Sequence, residues 1–240
     1  MNEVTEGHIM HRYDEEMKHL NKLVQEMTGL VRDQLRNAVH TLKTGDTEAA
    51  RRVISRDEDV NDLDIQVDDE LIHVIAKRQP MGKDLREILT VGKIVSDLER
   101  VGDEARKIAY LTVNFYGNDT PAPNNRIIME IVKMAEFVDR MLYKSIKAFE
   151  NLDLALAVEV LRMNEEIESD FDSALRHLST YMMEDSRSIG HVIETVLGLR
   201  ALERMGGHAK NIAGYVVFLI KGKDVRHASL EAVAAELEAD

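Results

Sequence analysis

Cysteine and tryptophan are absent from this chain, and proline occurs only three times in 240 residues. Without cysteine, disulfides, thiolate metal sites and a cysteine nucleophile are all excluded. Three prolines and 13 glycines are too few for a turn-rich all-β fold. Long apolar runs are missing too. The best, Tyr215–Ile220 with its Ala213–Gly214 approach, falls far short of the ~20 residues that span a bilayer, so membrane insertion is not expected. The N-terminus has no basic start followed by an apolar stretch, so it does not read as a secretory signal, and a cytoplasmic protein is expected. Positive charge is in deficit: 31 Lys and Arg against 44 Asp and Glu leave a formal charge of −13. That average field repels a phosphate backbone and argues against nucleic acid as a partner. It favours solubility, and cations or basic surfaces as partners.

What is present is helical pattern. Hydrophobic residues make up 44%, enough to bury a core, and 12 methionines with few aromatics suit aliphatic helix packing. Leu20, Leu23, Val24, Met27, Leu30, Val31, Leu35, Ala38 and Leu42 recur at spacings of three and four, the stripe of one amphipathic helix. Gly45 reads as its stop, and Asp46 as the N-cap of the next helix. That helix carries the stripe Ala50, Val53, Asp57, Val60, Asp64, Val67, Leu71 and Val74, and ends before Pro80, which disfavours helix at Gln79. A third stripe runs from Leu85 through Ile88, Val91, Val95, Leu98, Gly102 and Ala105 to Ile108.

After a Pro/Asn/Gly-rich stretch, Gly117 to Asn125, the pattern restarts. Ile131, Met134, Val138, Leu142, Ser145 and Phe149 stand 107 residues beyond Val24, Met27, Val31, Leu35, Ala38 and Leu42. Asp153 repeats Asp46 at the same offset. Past a loop three residues shorter the offset becomes 104, and Leu202-Glu203-Arg204-Met205-Gly206 repeats Leu98-Glu99-Arg100-Val101-Gly102. One consistent offset change and a shared LERxG motif identify an internal duplication. The predicted fold is all-α: two tandem antiparallel three-helix bundles, residues 1–117 and 126–222. A linker at 118–125 joins them, and a C-terminal tail, 223–240, reads as a short helix or a frayed end.

The most specific chemical signal is geometric. In an antiparallel hairpin turning at Pro80, Asp57 and Asn61 fall at the height of Glu99 and Asp103. Each pair is spaced i,i+4 and shares a helix face. Carboxylates gathered this way repel, and they need protons, solvent, basic partners or a cation. Arg56 and Arg100 are candidate basic partners. Oxygen donors without thiolate suit Mg²⁺, Mn²⁺ or iron. The second half keeps Asn164, Glu168 and Glu203, but Gly207 replaces the Asp103 carboxylate, leaving His208 as the substitute ligand. Glu16-x-x-His19 and Glu70-x-x-His73 each match the pair used in di-iron carboxylate bundles. Lys77 and Arg78, with Arg86 across the turn, form a basic cluster for an anion or an acidic partner.

Several motifs stand in one order along the chain. They are Ala76-Lys77-Arg78-Gln79-Pro80, Asp84-Leu85-Arg86 and Asp97-Leu98-Glu99-Arg100-Val101-Gly102-Asp103, then Tyr181-Met182-Met183-Glu184-Asp185-Ser186-Arg187 and Leu202 to Gly206. With them, the chain from about Tyr13 to about Lys221 resembles the PhoU family, cytoplasmic regulators of bacterial phosphate uptake. The resemblance implies two three-helix bundles, Glu/Asp-x-x-x-Asp motifs that bind metal clusters in some members, and a non-enzymatic role. It implies a negative regulator that dampens the high-affinity phosphate ABC transporter and links it to the phosphate-sensing histidine kinase. The transporter's ATPase subunit and the kinase are then the expected partners, and a homodimer is the expected assembly. Two departures weaken the second metal site. The family's Gly-Asp-His reads Gly206-Gly207-His208 here, and Gly214 stands where Glu usually follows Asn-Ile-Ala. The alternative from the residues alone is a metal-dependent carboxylate-bundle enzyme or a metal-storage protein.

Overall fold

The computed structural model describes residues 3–117 and 122–225, with side chains from Tyr13 onward. Linker residues 118–121 and the tail from 226 lie outside the described residues. Among the described residues seven α-helices follow in order: α1 (Glu3–Thr44), α2 (Thr47–Ser55), α3 (Asp57–Arg78), α4 (Lys83–Tyr116), α5 (Asn125–Asn151), α6 (Leu154–Glu184) and α7 (Ile189–Lys221). No strand occurs among the described residues.

The predicted stops and caps are in place. Gly45 closes α1 at φ 71, and an added Cβ there would lie 3.2 Å from the Tyr116 ring. The Asp46 carboxylate accepts from the Ala49 amide at 2.8 Å, and 107 residues later Asp153 accepts from Leu156 at 2.9 Å. The stop is not copied so cheaply. Leu152 occupies Gly45's place at φ 50, a conformation costing an L-residue about 1 kcal/mol. Gln79, before Pro80, ends α3 in the left-handed region at φ 48.

The sequence predicts one unbroken second helix, whereas the structure divides it at Arg56 into α2 and α3. There the Asp59 amide bonds the Arg56 carbonyl at 3.2 Å, a tightened three-residue turn. Neither Pro nor Gly marks it. Asp57, Glu58 and Asp59 fill the first turn of α3, where carboxylates meet the positive end of the helix dipole.

The stripes form the core. Leu20, Val24, Met27, Val31, Leu42, Val67, Val91, Leu98 and Ile108 are fully buried, as are Ile131, Val138, Leu142, Leu202 and Ile212. In the first bundle α1 and α4 run parallel, since Tyr13 meets Asp84, and Thr41 meets Thr112 at 3.1 Å. α3 runs against both.

The bundles also pack on each other. α4 lies antiparallel to α7: Glu104 meets Arg204 at 2.8 Å, and Asn114, ten residues on, meets Glu194, ten residues back, at 3.1 Å. On the α1–α5 side, Arg32 grips Asp139 through two hydrogen bonds at 2.7 and 3.0 Å. These two residues are repeat equivalents, 107 positions apart. A pseudo-twofold relation between the halves brings them together.

Candidate functional site

Of the residues predicted at one height, Asp57 and Asp103 share the Arg106 guanidinium, and Glu99 lies near enough to both to feel their charge. Gly102 on α4 makes the approach possible: a Cβ there would stand 3.3 Å from Val60 Cγ1, 3.4 Å from Gln34 Oε1 and 3.5 Å from Asp57 Oδ1. Asp57 is buried, and both of its oxygens are engaged. Gln34 Nε2 donates to Oδ1 at 3.1 Å, and Arg106 Nη1 donates to Oδ2 at 2.7 Å. Arg106 also donates to Asp103 Oδ1 at 2.9 Å. Arg100 reaches Glu99 at 3.4 Å and Asp103 at 4.0 Å. Asn61 is exposed on the outer side of α3.

The cations do not cancel the crowding. Burial pushes the Glu99 carboxyl above its ordinary value, Asp103 adds to the shift, and Asp64 and Asp57 contribute while Arg100 opposes. Asp64 is raised likewise, by burial and then by Asp68. The buried Gln34 Oε1 finds no hydrogen-bond partner. The donors are therefore of the kind a hard cation takes: oxygens only, mutually repelling, with an orphaned amide oxygen beside them. Their present countercharges are Arg106 at Asp57 and Asp103 and Arg100 at Glu99, and no group of three His, Asp or Glu side chains among the described residues is placed as a ligand set.

The site has three further participants. Arg100, next to Glu99, is the obvious pairing by proximity, yet Arg106, three residues past Asp103, shares its face. Gln34 comes from α1, outside the hairpin. Asp64 was visible as an acidic seam position.

The second half is arranged differently. Asn164 donates to Glu168 Oε1 at 2.9 Å, and Glu203 accepts from Arg200, whose guanidinium lies 4.2 Å over the Phe171 ring. His208 does not turn toward them. Its Nδ1 lies 2.6 Å from Asp97 Oδ1 of the first half, and Asn211 donates to the same oxygen at 3.2 Å. Five positions place His208 about 140° around the helix from Glu203, so both cannot face one ion. The substitution of His208 for the missing carboxylate is thus corrected: His208 joins the two bundles.

The basic cluster is dispersed as well. Arg78 is held by Glu16 through bonds of 2.8 and 2.7 Å. Arg86 lies at the α7 C-terminus, 3.4 Å from the Leu219 carbonyl and 5.5 Å over Phe218. Only Lys77 remains exposed. Of the two Glu-x-x-His pairs, Glu16 serves Arg78, while His19 Nε2 stands 4.0 Å from Glu70.

A family model described as "PhoU domain" matches twice, at residues 24–112 and 131–216. A Pseudomonas putida protein named phosphate-specific transport system accessory protein PhoU homolog is 37% identical over 231 residues, covering 96% of this chain and 89% of that protein. The Escherichia coli K12 protein named phosphate-specific transport system accessory protein PhoU is 31% identical, covering 92% and 90% respectively. The crystal structure of PhoU from Pseudomonas aeruginosa superposes with a TM-score of 0.82 at 34% identity, covering 88% of this chain and all of that one.

Proposed function

This chain belongs to the PhoU family, and from that premise we propose that it is an accessory regulator of phosphate-specific transport and not an enzyme. The observation that carries the reading is likeness along nearly the whole chain to relatives named accessory proteins of that system. No helix among the described residues is long and apolar enough to cross a membrane. The finer form of the proposal is a cytoplasmic negative regulator, acting as a homodimer. It contacts the transporter's ATPase subunit and the phosphate-sensing histidine kinase, so that phosphate-rich cells keep their starvation genes silent. Deleting the gene is expected to derepress a starvation-gene reporter in phosphate-rich medium. Unchanged expression in a clean deletion strain refutes the reading.

A metal belongs to the proposal for the first half only. Asp57, Glu99 and Asp103 would hold Mg²⁺, Mn²⁺ or iron in exchange for Arg106, with the unpartnered Gln34 Oε1 rather than the outward Asn61 as neutral donor, and the cation would relieve the repulsion centred on Glu99. The second half offers Glu168 and Glu203 without a third carboxylate, and His208 is committed to Asp97.

A further inference from the structure

The two halves provide an internal control on surface composition. On α3 the face opposite the buried stripe carries Glu58, Asp62, Ile65, Asp69 and Ile72, at spacings of three and four. On α6 the equivalent positions, 107 residues later, carry Glu165, Ser169, Asp172, Arg176 and Ser179. All ten are exposed to solvent. The α6 face is what a solvated helix needs: polar throughout, with both signs of charge. The α3 face keeps two isoleucines in water, Ile65 at 62% and Ile72 at 65% exposure. Its charges on this stripe are of one sign. Asp62, Ile65, Gln66, Asp69, Glu70 and His73 line an open groove of about 560 Å³. No ion pair among the described residues neutralises Asp62 or Asp69. Packing within the bundle cannot explain the isoleucines, because the equivalent helix is built without them.

We propose that this face of α3 is a docking surface for a basic amphipathic helix of a partner protein. Ile65 and Ile72 stand two turns apart, roughly 10 Å along the axis. They would receive two apolar side chains of similar spacing, the helix-on-helix mode of recognition. Asp62 and Asp69 beside them select lysine or arginine around that apolar pair and steer its approach. A second copy of this chain is the wrong occupant for the same reason. It would set Asp62 and Asp69 against their own kind in a chain of net charge −13. The proposal rests on the accessory reading only for the existence of a protein partner.

The decisive variant gives α3 the residues of α6, Ile65→Asp with Ile72→Ser, and a second variant, Asp62→Asn with Asp69→Asn, removes charge alone. Both alter exposed positions, and an unchanged melting temperature verifies folding. The probe is a labelled synthetic helix with lysines flanking two leucines spaced as Ile65 and Ile72 are, its control the same helix with glutamate for lysine. Anisotropy titration should show the lysine helix binding the parent chain and weakening with salt. Each variant should lose at least tenfold in affinity, and the glutamate helix should not bind. Equal binding to parent and variants overturns the proposal, as does sedimentation showing that the isoleucine variant abolishes self-association. In cells the isoleucine variant should derepress the starvation reporter as far as deletion does. Full repression by that variant where deletion derepresses refutes the docking face and leaves the accessory reading intact. A silent deletion refutes the accessory reading and leaves the titration to decide the face.

Discussion

Replacing Arg106 with methionine tests how the crowded carboxylates are held. The Asp57 side chain is 6% exposed, and Arg106 supplies its only cationic contact among the described residues, at 2.7 Å. Stripping one partner from a buried ion pair costs about 3–5 kcal/mol, because the remaining charge stays desolvated. Arg106 is 36% exposed, so water already screens part of the attraction, and the expected loss falls to about 2–3 kcal/mol. For a domain of this size that lowers the melting temperature by roughly 5–10 °C. Gln34 still donates to Asp57 and keeps the loss from growing larger. Two controls separate electrostatics from lost packing. Asp57→Asn combined with Arg106→Met removes the stranded charge and should recover at least half of the loss. Adding Mn²⁺ should raise the melting temperature of Arg106→Met more than that of the parent, since a cation then fills the role the guanidinium leaves. Calorimetry with and without metal reads both. A variant that melts like the parent, or a double variant no more stable than the single, refutes the reasoning.

Three other outcomes are expected. Burial pushes the Asp139 carboxyl up, but hydrogen bonds and charge from Arg32 and Arg36 more than offset it and leave it below the usual range. Its stabilisation is therefore present above the unfolded value of about 4 and lost as pH falls through the lower folded value. Asp139→Asn should cost about 2 kcal/mol at pH 7, and denaturant melts below the usual carboxylate range should show that difference closing. Elemental analysis should find most bound metal lost from Glu99→Gln with Asp103→Asn and little lost from Glu203→Gln; equal losses, or a metal-free parent, defeat the asymmetry. Gly206→Leu should destabilise by about 2 kcal/mol through overpacking, since even a Cβ there would lie 2.7 Å from Ile167 Cδ1; a parent-like urea midpoint contradicts it.

The fold was legible because its signals are local. Apolar periodicity, the Gly45 stop, the Asp46 and Asp153 caps and the break at Pro80 each act within one or two turns, and the repeat offset joined them into two bundles. The packing of one bundle on the other was not legible, since it depends on which outer faces meet. For that reason the Asp97–His208 and Glu104–Arg204 contacts went unforeseen. The height of the carboxylates could be counted from Pro80, but their partners could not. Arg106 prevails over Arg100 at Asp57 through side-chain direction, which sequence spacing specifies poorly. The same limit applies to Arg78 and Arg86, which look like surface charges in sequence and are occupied by Glu16 and the end of α7 in space.

The grip of Arg32 on Asp139 bears on descent. In an ancestral pair of identical half-length chains, the two positions would be one residue meeting its own copy across a true twofold axis. Arginine would face arginine there, or aspartate would face aspartate, and either arrangement repels. In one chain the two positions are separate residues, and each carries its own charge. The bond is thus a lesson in broken symmetry: it ties first half to second and disfavours either half pairing with a copy of itself. Holding both halves in one chain does more than tether two bundles, because a pair of positions that a symmetric dimer would make identical can carry opposite charges.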